Sequence, residues 1–366
     1  MKTALVSAIA LLVLAAGCSA PLQRFAFDHP AMGTRFRLLL YADEGERAAA
    51  AAAAAFARID ALEQALSDWR DDSELARVTR AANAAPGTPI AIGNDLARVA
   101  ARAQELAALC DGAFDITIGP LVQLWRRARR QGEPPSDAVL ARARAATGFR
   151  QLAVVRHADR AGGTLAFARS GMALDLGAIA KGDALDEVLA LLGERGLPCA
   201  LLVGGGEVRA GAPPPGTRGW SVALSELADG AGHPLEQESD APRRCVLLAH
   251  AALSTSGDLF RYGEIGGERS SHVIDPAEGL GLTRRVLAAV IAPDGATADA
   301  LSTACGVAGP ERALALVARV PGAVARIEWL EGGEVRACAS PGWPPMMPAP
   351  VEARGEDDVD PFADPP

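Results

Sequence analysis

The chain has 366 residues and a formal net charge of -9, with 49% hydrophobic and 22% charged residues. These values are typical of a globular protein, and the length allows one large core or two smaller ones. The acidic balance argues against nucleic acid as the main partner, because phosphate binding needs a basic surface.

The first residues form a targeting segment. Lys2 precedes an apolar run from Ala4 to Ala16, which is too short to cross a bilayer as a helix. The run ends in LAAGCSA, which favours a lipoprotein signal at 1–17, a lipidated Cys18 and a linker at 18–24. A cleaved secretory signal with a chance cysteine is the alternative. Because no aspartate follows the cysteine, we expect a lipid-anchored periplasmic protein, on the outer membrane rather than the inner one.

Apolar runs and their periodicity predict the elements that follow. Arg35 to Tyr41 is a predicted strand, and the alanine-rich stretch from Glu46 to Trp69 is a predicted helix. Further short apolar runs flanked by glycine or proline predict strands. The other predicted helices run from Asn94, as N-cap, to Leu109, from Ala180 to Arg195, from Ala298 to Val307, and onward from Pro310.

Strands and helices alternate without regular βαβ spacing, which favours an α+β fold. We find no linker within the middle of the chain, so we predict one catalytic domain at 25–340. The proline-rich, acidic segment at 341–366 is predicted to be a disordered tail. The cysteines after Cys18 show neither a metal-site spacing nor a dense disulfide pattern, and we expect them to be small buried hydrophobes.

Two stretches suggest ion binding. In GMALDLGAIAKGDALDEVL, at 171–189, glycines and Lys181 stand at a helix start, where exposed N–H groups bind anions; a plain helix cap is equally compatible. In ATADALSTACG, Asp299 and Thr303 share one helix face, and their oxygens can hold Mg²⁺. A helix cap followed by a surface threonine is the alternative reading of that second stretch.

Three further stretches are ambiguous when taken singly. CDGAFDITIGPLVQLW, at 110–125, contains an Asp-Gly turn before a strand-like ITI, and VGGGEV, at 203–208, permits either a close backbone approach or a hairpin corner. SHVIDPAEG, at 271–279, contains His272, which is either a catalytic base or a polar residue at a strand end. We interpret Asp275 in the same stretch as a cap of the Asp-Pro turn.

The order of the motifs is more specific than any one of them. Along the chain stand AMGTRFRL, LSDWRDDSEL, GAFDITIGPLVQLW, LDLGAIAKGDALD, LLVGGGEV, STSGD, SHVIDPAEG and ADALSTA. In this order, from about Met32 to Leu316, the chain resembles the FAD:protein FMN transferases, the ApbE flavin-transferase lipoproteins. The resemblance implies a single ApbE-like, T-fold-like α+β domain with mixed sheets and packed helices.

The resemblance also implies an activity. Members of the family split FAD, transfer the FMN part to a threonine or serine hydroxyl of a target protein, release AMP and require Mg²⁺. The implied acceptor is a flavin-carrying subunit of a membrane redox complex with a Thr/Ser acceptor motif. A Mg²⁺-dependent FAD pyrophosphatase and a non-catalytic FAD-binding lipoprotein remain the alternatives.

Motif by motif, the resemblance assigns site residues. It implies that Asp299, Thr303 and the carbonyl of Ala178 bind Mg²⁺, and that His272 is the general base. Asp183 stands where many members have tyrosine, and its negative charge is expected to bear on FAD affinity. The positions that resemble FAD contacts are Met32, Trp69, Ala113, Phe114, Asp115, Asp175, Lys181, Ser271 and His272.

Overall fold

The computed structural model describes residues 21–227, 244–257, 262–265 and 268–348. The leader at 1–17, Cys18 and the tail from residue 349 onward lie outside these ranges. Within the described ranges the helices are α1 (Gly45–Leu66), α2 (Glu74–Ala84), α3 (Asn94–Leu109), α4 (Gly119–Gln131), α5 (Asp137–Ala145), α6 (Ala180–Glu194), α7 (Gly295–Ala308) and α8 (Pro310–Val317). The strands are β1 (Gln23–Ala31), β2 (Thr34–Ala42), β3 (Ile90–Ile92), β4 (Leu152–Arg156), β5 (Gly163–Phe167), β6 (Ala200–Gly204), β7 (Glu207–Ala210), β8 (Trp220–Ala223), β9 (Arg244–Leu248), β10 (Ala251–Gly257), β11 (Tyr262–Ile265), β12 (Glu268–Ser271), β13 (Val286–Ala292), β14 (Val324–Glu331), β15 (Glu334–Ala339) and β16 (Met347–Pro348).

An eight-stranded antiparallel sheet in the order β1-β2-β6-β7-β10-β13-β14-β15 forms the centre of the fold. Helices α1, α6, α7 and α8 pack against it on one side. Strand β2 shows why both faces are apolar: Leu38 and Leu40 enter the helix-side core, whereas Leu39 and Tyr41 lie in the core of the other face. Successive side chains of a strand point to opposite faces, so a strand covered on both sides reads as a continuous apolar run.

The other face is covered by a small sheet, β16-β9-β8, whose Trp220, Val222 and Val246 pack on the central sheet. Trp343 and Met346 pack against the same cluster, and Met347 pairs with Cys245. The predicted disorder from residue 341 is therefore wrong for 341–348, which close the edge of this layer. A third sheet, β3-β5-β4, packs beside α2 and α3.

Several predicted boundaries are corrected by the structure. Helix α1 ends at Leu66, so Trp69 lies in the following turn rather than on the helix. Gly93, not Asn94, is the N-cap of α3, and α7 begins at Gly295, three residues before its predicted start. The strand-like ITI is a turn that leads into α4. Helices α2, α4 and α5 had no counterpart in the sequence prediction.

The expectation that the cysteines after Cys18 are buried holds for four of them and is wrong for Cys338. Within the described residues no cysteine is in a disulfide; four are buried and Cys338 is partly exposed. Burial raises the pKa of the Cys110 and Cys199 thiols to about 11, so these side chains are unreactive at neutral pH. No helix in the described part of the chain has the length and apolar character needed to cross a membrane.

Helices α6 and α7 cross at unusually close range, and this crossing positions the candidate site. Gly182 and Gly295 meet backbone to backbone, and a Cβ atom on either glycine would overlap the carbonyl oxygen of the other. The Asp186 carboxylate accepts hydrogen bonds from the Gly295 and Ala296 N–H groups and thereby joins α6 to the first turn of α7. Glycine at position 182 is thus a steric requirement of the crossing.

Gly182→Ala should therefore destabilise the protein by about 1–3 kcal/mol or more, because the added methyl group meets rigid backbone. Gly193→Ala, in the same helix and with open space around its Cβ position, should stabilise it by about 0.5–1 kcal/mol. Urea unfolding of both variants measures the two changes. Equal stability of Gly182→Ala and wild type would show that the crossing is looser than described.

Candidate functional site

The loop before α6 is held by its own side chains. Asp175 Oδ1 accepts a hydrogen bond from the Gly177 N–H at 2.8 Å, and the Asp175 N–H donates to the Ile116 carbonyl oxygen at 2.8 Å. Lys181 Nζ donates back to the Gly177 carbonyl oxygen at 2.6 Å. The loop therefore presents a lysine ammonium and the start of a helix on one side, which suits an anionic ligand.

Asp299 of α7 reaches this loop. Its carboxylate is 4% exposed, and Oδ2 lies 3.7 Å from Lys181 Nζ and 3.2 Å from the Gly182 nitrogen that donates to it. Burial raises the pKa of Asp299, and the Lys181 charge opposes that increase. Thr303 follows one turn later on α7 and is partly exposed. The structure thus brings Lys181 and Asp299 together, as the assigned roles require.

A second buried carboxylate, Glu207 of β7, lies in the same cluster. Its side chain is 8% exposed, and Oε1 is 3.3 Å from Lys181 Nζ. No donor among the described residues reaches Oε2. Burial raises the pKa of Glu207 well above the usual carboxyl range; the Lys181 charge lowers it and the nearby Asp299 charge raises it further. Sequence reasoning missed this residue, because the glycines of VGGGEV suggested only a backbone role. Its signal was a carboxylate directly after three glycines, at the start of a short strand.

The donor set around Asp299 fits a hard divalent cation. Asp299 supplies a carboxylate, Thr303 a hydroxyl group on the same helix face, and Ala178 a carbonyl group in the loop that precedes α6. The two buried carboxylates face a single lysine, so a cation would balance the remaining negative charge. No group of three or more His, Cys, Asp or Glu side chains with metal-site geometry occurs in the described ranges. A cation here would accordingly rely on mixed oxygen donors and water.

Trp69 is held from one side by an arginine that the sequence analysis did not select. The Arg126 guanidinium carbon lies 3.9 Å from the centre of the indole ring, while Trp69 is 70% exposed. Arg126 also contacts Asp68 at 2.7 Å and Asp175 at 3.3 Å. This bridge connects two predicted FAD contacts, Trp69 and Asp175, and leaves much of the indole surface available for a stacking ligand.

The turn at 113–115 borders a cleft of about 550 Å³ that is also lined by Pro276 and Ala277. The Asp115 carboxylate accepts three hydrogen bonds from within the protein: from the N–H and hydroxyl of Thr117 and from the Phe149 N–H. Phe114 is buried in the main core, and Ala113 packs beside it. The side chains of Phe114 and Asp115 therefore organise the turn, and the assigned FAD contacts at 113–115 remain predictions.

His272 lies directly after β12 and is partly exposed. The preceding Ser271 is buried, and its hydroxyl oxygen accepts a hydrogen bond from the Val273 N–H. Asp275 Oδ1 accepts hydrogen bonds from the Ala277 and Glu278 N–H groups, which confirms the interpretation of Asp275 as a turn cap. The histidine thus lies on a loop with its own internal hydrogen bonds, and Pro276 and Ala277 of the same loop line the cleft.

Met32 occupies the two-residue turn between β1 and β2, where Ala31 pairs with Thr34. Both turn residues have positive φ, 50° at Met32 and 70° at Gly33. A side chain other than glycine is strained in that region, and such strain recurs at ligand sites. The position of Met32 in a strained turn agrees with a binding role without establishing it.

Asp183 faces away from the Lys181 cluster. Side chains two residues apart on a helix point in directions about 200° apart. Lys181 and Asp183 therefore lie on opposite faces of α6, and Asp183 pairs with Arg98 of α3. Burial raises the pKa of Asp183 to about 7, and the Arg98 charge opposes this increase. Its charge is thus balanced locally by Arg98, so the departure from tyrosine at this position adds little negative charge to the Lys181 side.

The comparisons with known proteins agree with this geometry. The model of the ApbE family matches residues 32–327. The chain belongs to the ApbE family. An FAD:protein FMN transferase from Klebsiella pneumoniae is 32% identical over 294 residues, covering 79% of this chain and 80% of that one. The corresponding protein of Treponema pallidum is 32% identical over 314 residues, with 84% of each chain covered.

Solved ApbE structures share the fold. The flavin transferase ApbE from Vibrio cholerae superposes with a TM-score of 0.74 at 26% identity, covering 87% of this chain and 98% of that one. The apo form of the Pseudomonas stutzeri flavinyl transferase ApbE gives a TM-score of 0.72 at 29% identity, covering 87% and 95%. The predicted ApbE-like α+β fold is confirmed for this chain.

Proposed function

We propose that this protein is an FAD:protein FMN transferase that moves the FMN part of FAD to a threonine or serine hydroxyl of a target protein and releases AMP, with Mg²⁺ bound at the site. The observation that carries the proposal is the meeting of Asp299 with Lys181 at the α6–α7 crossing, within an ApbE fold. Curated relatives of the same family carry this activity in their names.

The charges of the site residues indicate which part of the ligand each of them binds. Lys181 and the N–H groups at the start of α6 favour the pyrophosphate of FAD, while Asp299, Thr303 and the Ala178 carbonyl would hold the cation. A bound Mg²⁺ neutralises the charge that develops on the reacting phosphate. Trp69, held by Arg126, stacks on an aromatic part of the ligand, and Asp175 fixes the loop between these regions.

His272 accepts the proton of the acceptor hydroxyl as its oxygen attacks the phosphorus of the FMN part. The bond between that phosphorus and the bridging oxygen breaks, and AMP leaves with the bridging oxygen. Phosphoryl transfer depends mainly on positioning and charge stabilisation, with a base for the incoming hydroxyl. If water enters instead of the protein hydroxyl, the same site hydrolyses FAD to FMN and AMP.

The test is a reaction of the purified protein with FAD, Mg²⁺ and a peptide containing an Asp-x-Ser/Thr-Gly-Ala-Thr motif, analysed by mass spectrometry. We expect a peptide carrying one FMN phosphoester and an equal amount of AMP. Formation of FMN and AMP with unmodified peptide would indicate a hydrolase. Bound, intact FAD after prolonged incubation would indicate a binding protein and would contradict both reactions.

The protein is further proposed to act on the periplasmic side of a bacterial membrane, anchored through lipidated Cys18, with a redox-complex subunit as its acceptor. The support is the LAAGC sequence after a short apolar run. Cys18→Ser should yield a precursor that incorporates no labelled palmitate, whereas wild type should incorporate it and sediment with membranes. An unlabelled, freely soluble wild-type protein would contradict the anchor and favour a cleaved secretory signal.

A further inference from the structure

Glu207 and Asp183 are the two buried carboxylates of the described residues that have an oxygen without a hydrogen-bond partner, and of the two only Glu207 lies in the Lys181 cluster. Glu207 lies on β7, which is paired on both sides within the central sheet, and its side chain is buried. One oxygen contacts Lys181 at 3.3 Å, and the other has no hydrogen-bond donor among the described residues. A buried carboxylate oxygen without a donor is costly, so its retention calls for an explanation.

The surroundings of Glu207 contain fewer positive charges than carboxylates. Besides Lys181, the ionisable group beside it is Asp299, another buried carboxylate. An Asp299 oxygen is 3.7 Å from the same ammonium group, so a single lysine pairs with two carboxylates. Ser254, opposite Glu207 on β10, shares its hydrogen bond with Ser302 of α7 at 3.1 Å and adds no charge. When both carboxylates are ionised, the cluster carries an excess negative charge in a buried setting, and burial raises the pKa of both Glu207 and Asp299. A bound cation would favour the ionised form of both.

We propose that Glu207 supplies the second negative charge of the cation site and determines its affinity for a divalent metal together with Asp299. The inference rests on the proposed function, which places the cation at Asp299. Glu207 is a charge-balancing residue: its carboxylate lies beside Lys181 and acts on the cation through its own charge, while the helix residues contact the metal.

The experiment measures metal binding without FAD. Mn²⁺ is titrated into the purified protein and the free ion is followed by electron paramagnetic resonance. Glu207→Gln keeps the shape of the side chain and removes its charge, and we expect the dissociation constant for Mn²⁺ to rise about 10–100-fold, the usual effect of losing a group that supports metal ligands. Glu207→Asp, which restores the charge, should recover most of the affinity.

A matched control comes from the same sheet. Glu328 is also buried, but it lies on β14, which two strands separate from β7, and it pairs with Arg326 at 2.8 Å. Glu328→Gln should leave Mn²⁺ affinity unchanged. Circular dichroism and melting temperature establish folding of every variant, and Glu207→Thr, which suits a strand and is uncharged, replaces Glu207→Gln if the latter does not fold.

A double-mutant cycle with Lys181→Met separates a direct effect on the cation from one that acts only through the lysine. The loss of Mn²⁺ affinity caused by Glu207→Gln should persist when Lys181→Met is also present. Equal affinity of Glu207→Gln and wild type, or a loss that disappears without Lys181, would overturn the inference. Failure of wild type itself to bind Mn²⁺ would instead refute the cation site of the proposed function.

Discussion

His272→Ala is expected to retain FAD affinity and to lose FMN transfer by about 10²–10⁴-fold, the usual contribution of a general base. His272 is partly exposed on a loop that is held by the hydrogen bonds of Ser271 and Asp275, and these hydrogen bonds should remain in the variant. FAD affinity from flavin fluorescence, transfer from mass spectrometry and melting temperature should all be measured on one preparation.

The pH profile provides an independent check on His272. An imidazole can accept a proton only when it is neutral, so the wild-type rate should fall on the acid side and the variant should lack that decrease. His157→Ala, which removes a histidine near Arg160 and outside every matched motif, is the control and should transfer normally. A folded His272→Ala protein with the wild-type rate would show that His272 is only a polar residue at a strand end.

Asp299→Asn should reduce transfer by about 10³-fold or more, since a bound metal supplies several kcal/mol of charge stabilisation and each 1.36 kcal/mol is tenfold in rate. Asparagine still offers an oxygen to the Gly182 N–H, so the α6–α7 crossing should persist. FAD binding should survive in part, because much of the ligand would contact residues away from Asp299. Single-turnover transfer rates across a Mg²⁺ titration measure the effect.

Thr303→Ala provides the graded comparison. It removes a neutral oxygen from the same helix face, so it should reduce the transfer rate less than Asp299→Asn does. Activity should recover as the Mg²⁺ concentration is raised. Chelation of the metal from wild type should reproduce the Asp299→Asn rate. Full activity of Asp299→Asn at limiting Mg²⁺ would place the metal elsewhere.

The sequence by itself determined the features that depend on local periodicity. Asp299 and Thr303 share a face because they are four residues apart on a helix, and α6 buries Leu185, Val188 and Leu192 for the same reason. The ordered motifs likewise predicted the ApbE fold. Each of these inferences needs only a spacing within one element, or a pattern that the whole family shares.

The tertiary structure decided which distant residues meet. Gly182 and Asp299 are 117 residues apart, and they join only because two glycines allow α6 and α7 to cross at backbone contact. The same assembly gave Glu207 its unpartnered buried oxygen and placed Arg126 over Trp69. It also ordered residues 341–348, whose proline-rich sequence predicted disorder, because Trp343 and Met346 pack in the apolar cluster on the central sheet. Such contacts depend on how the elements pack against each other, and the spacing of residues along the chain does not predict that packing.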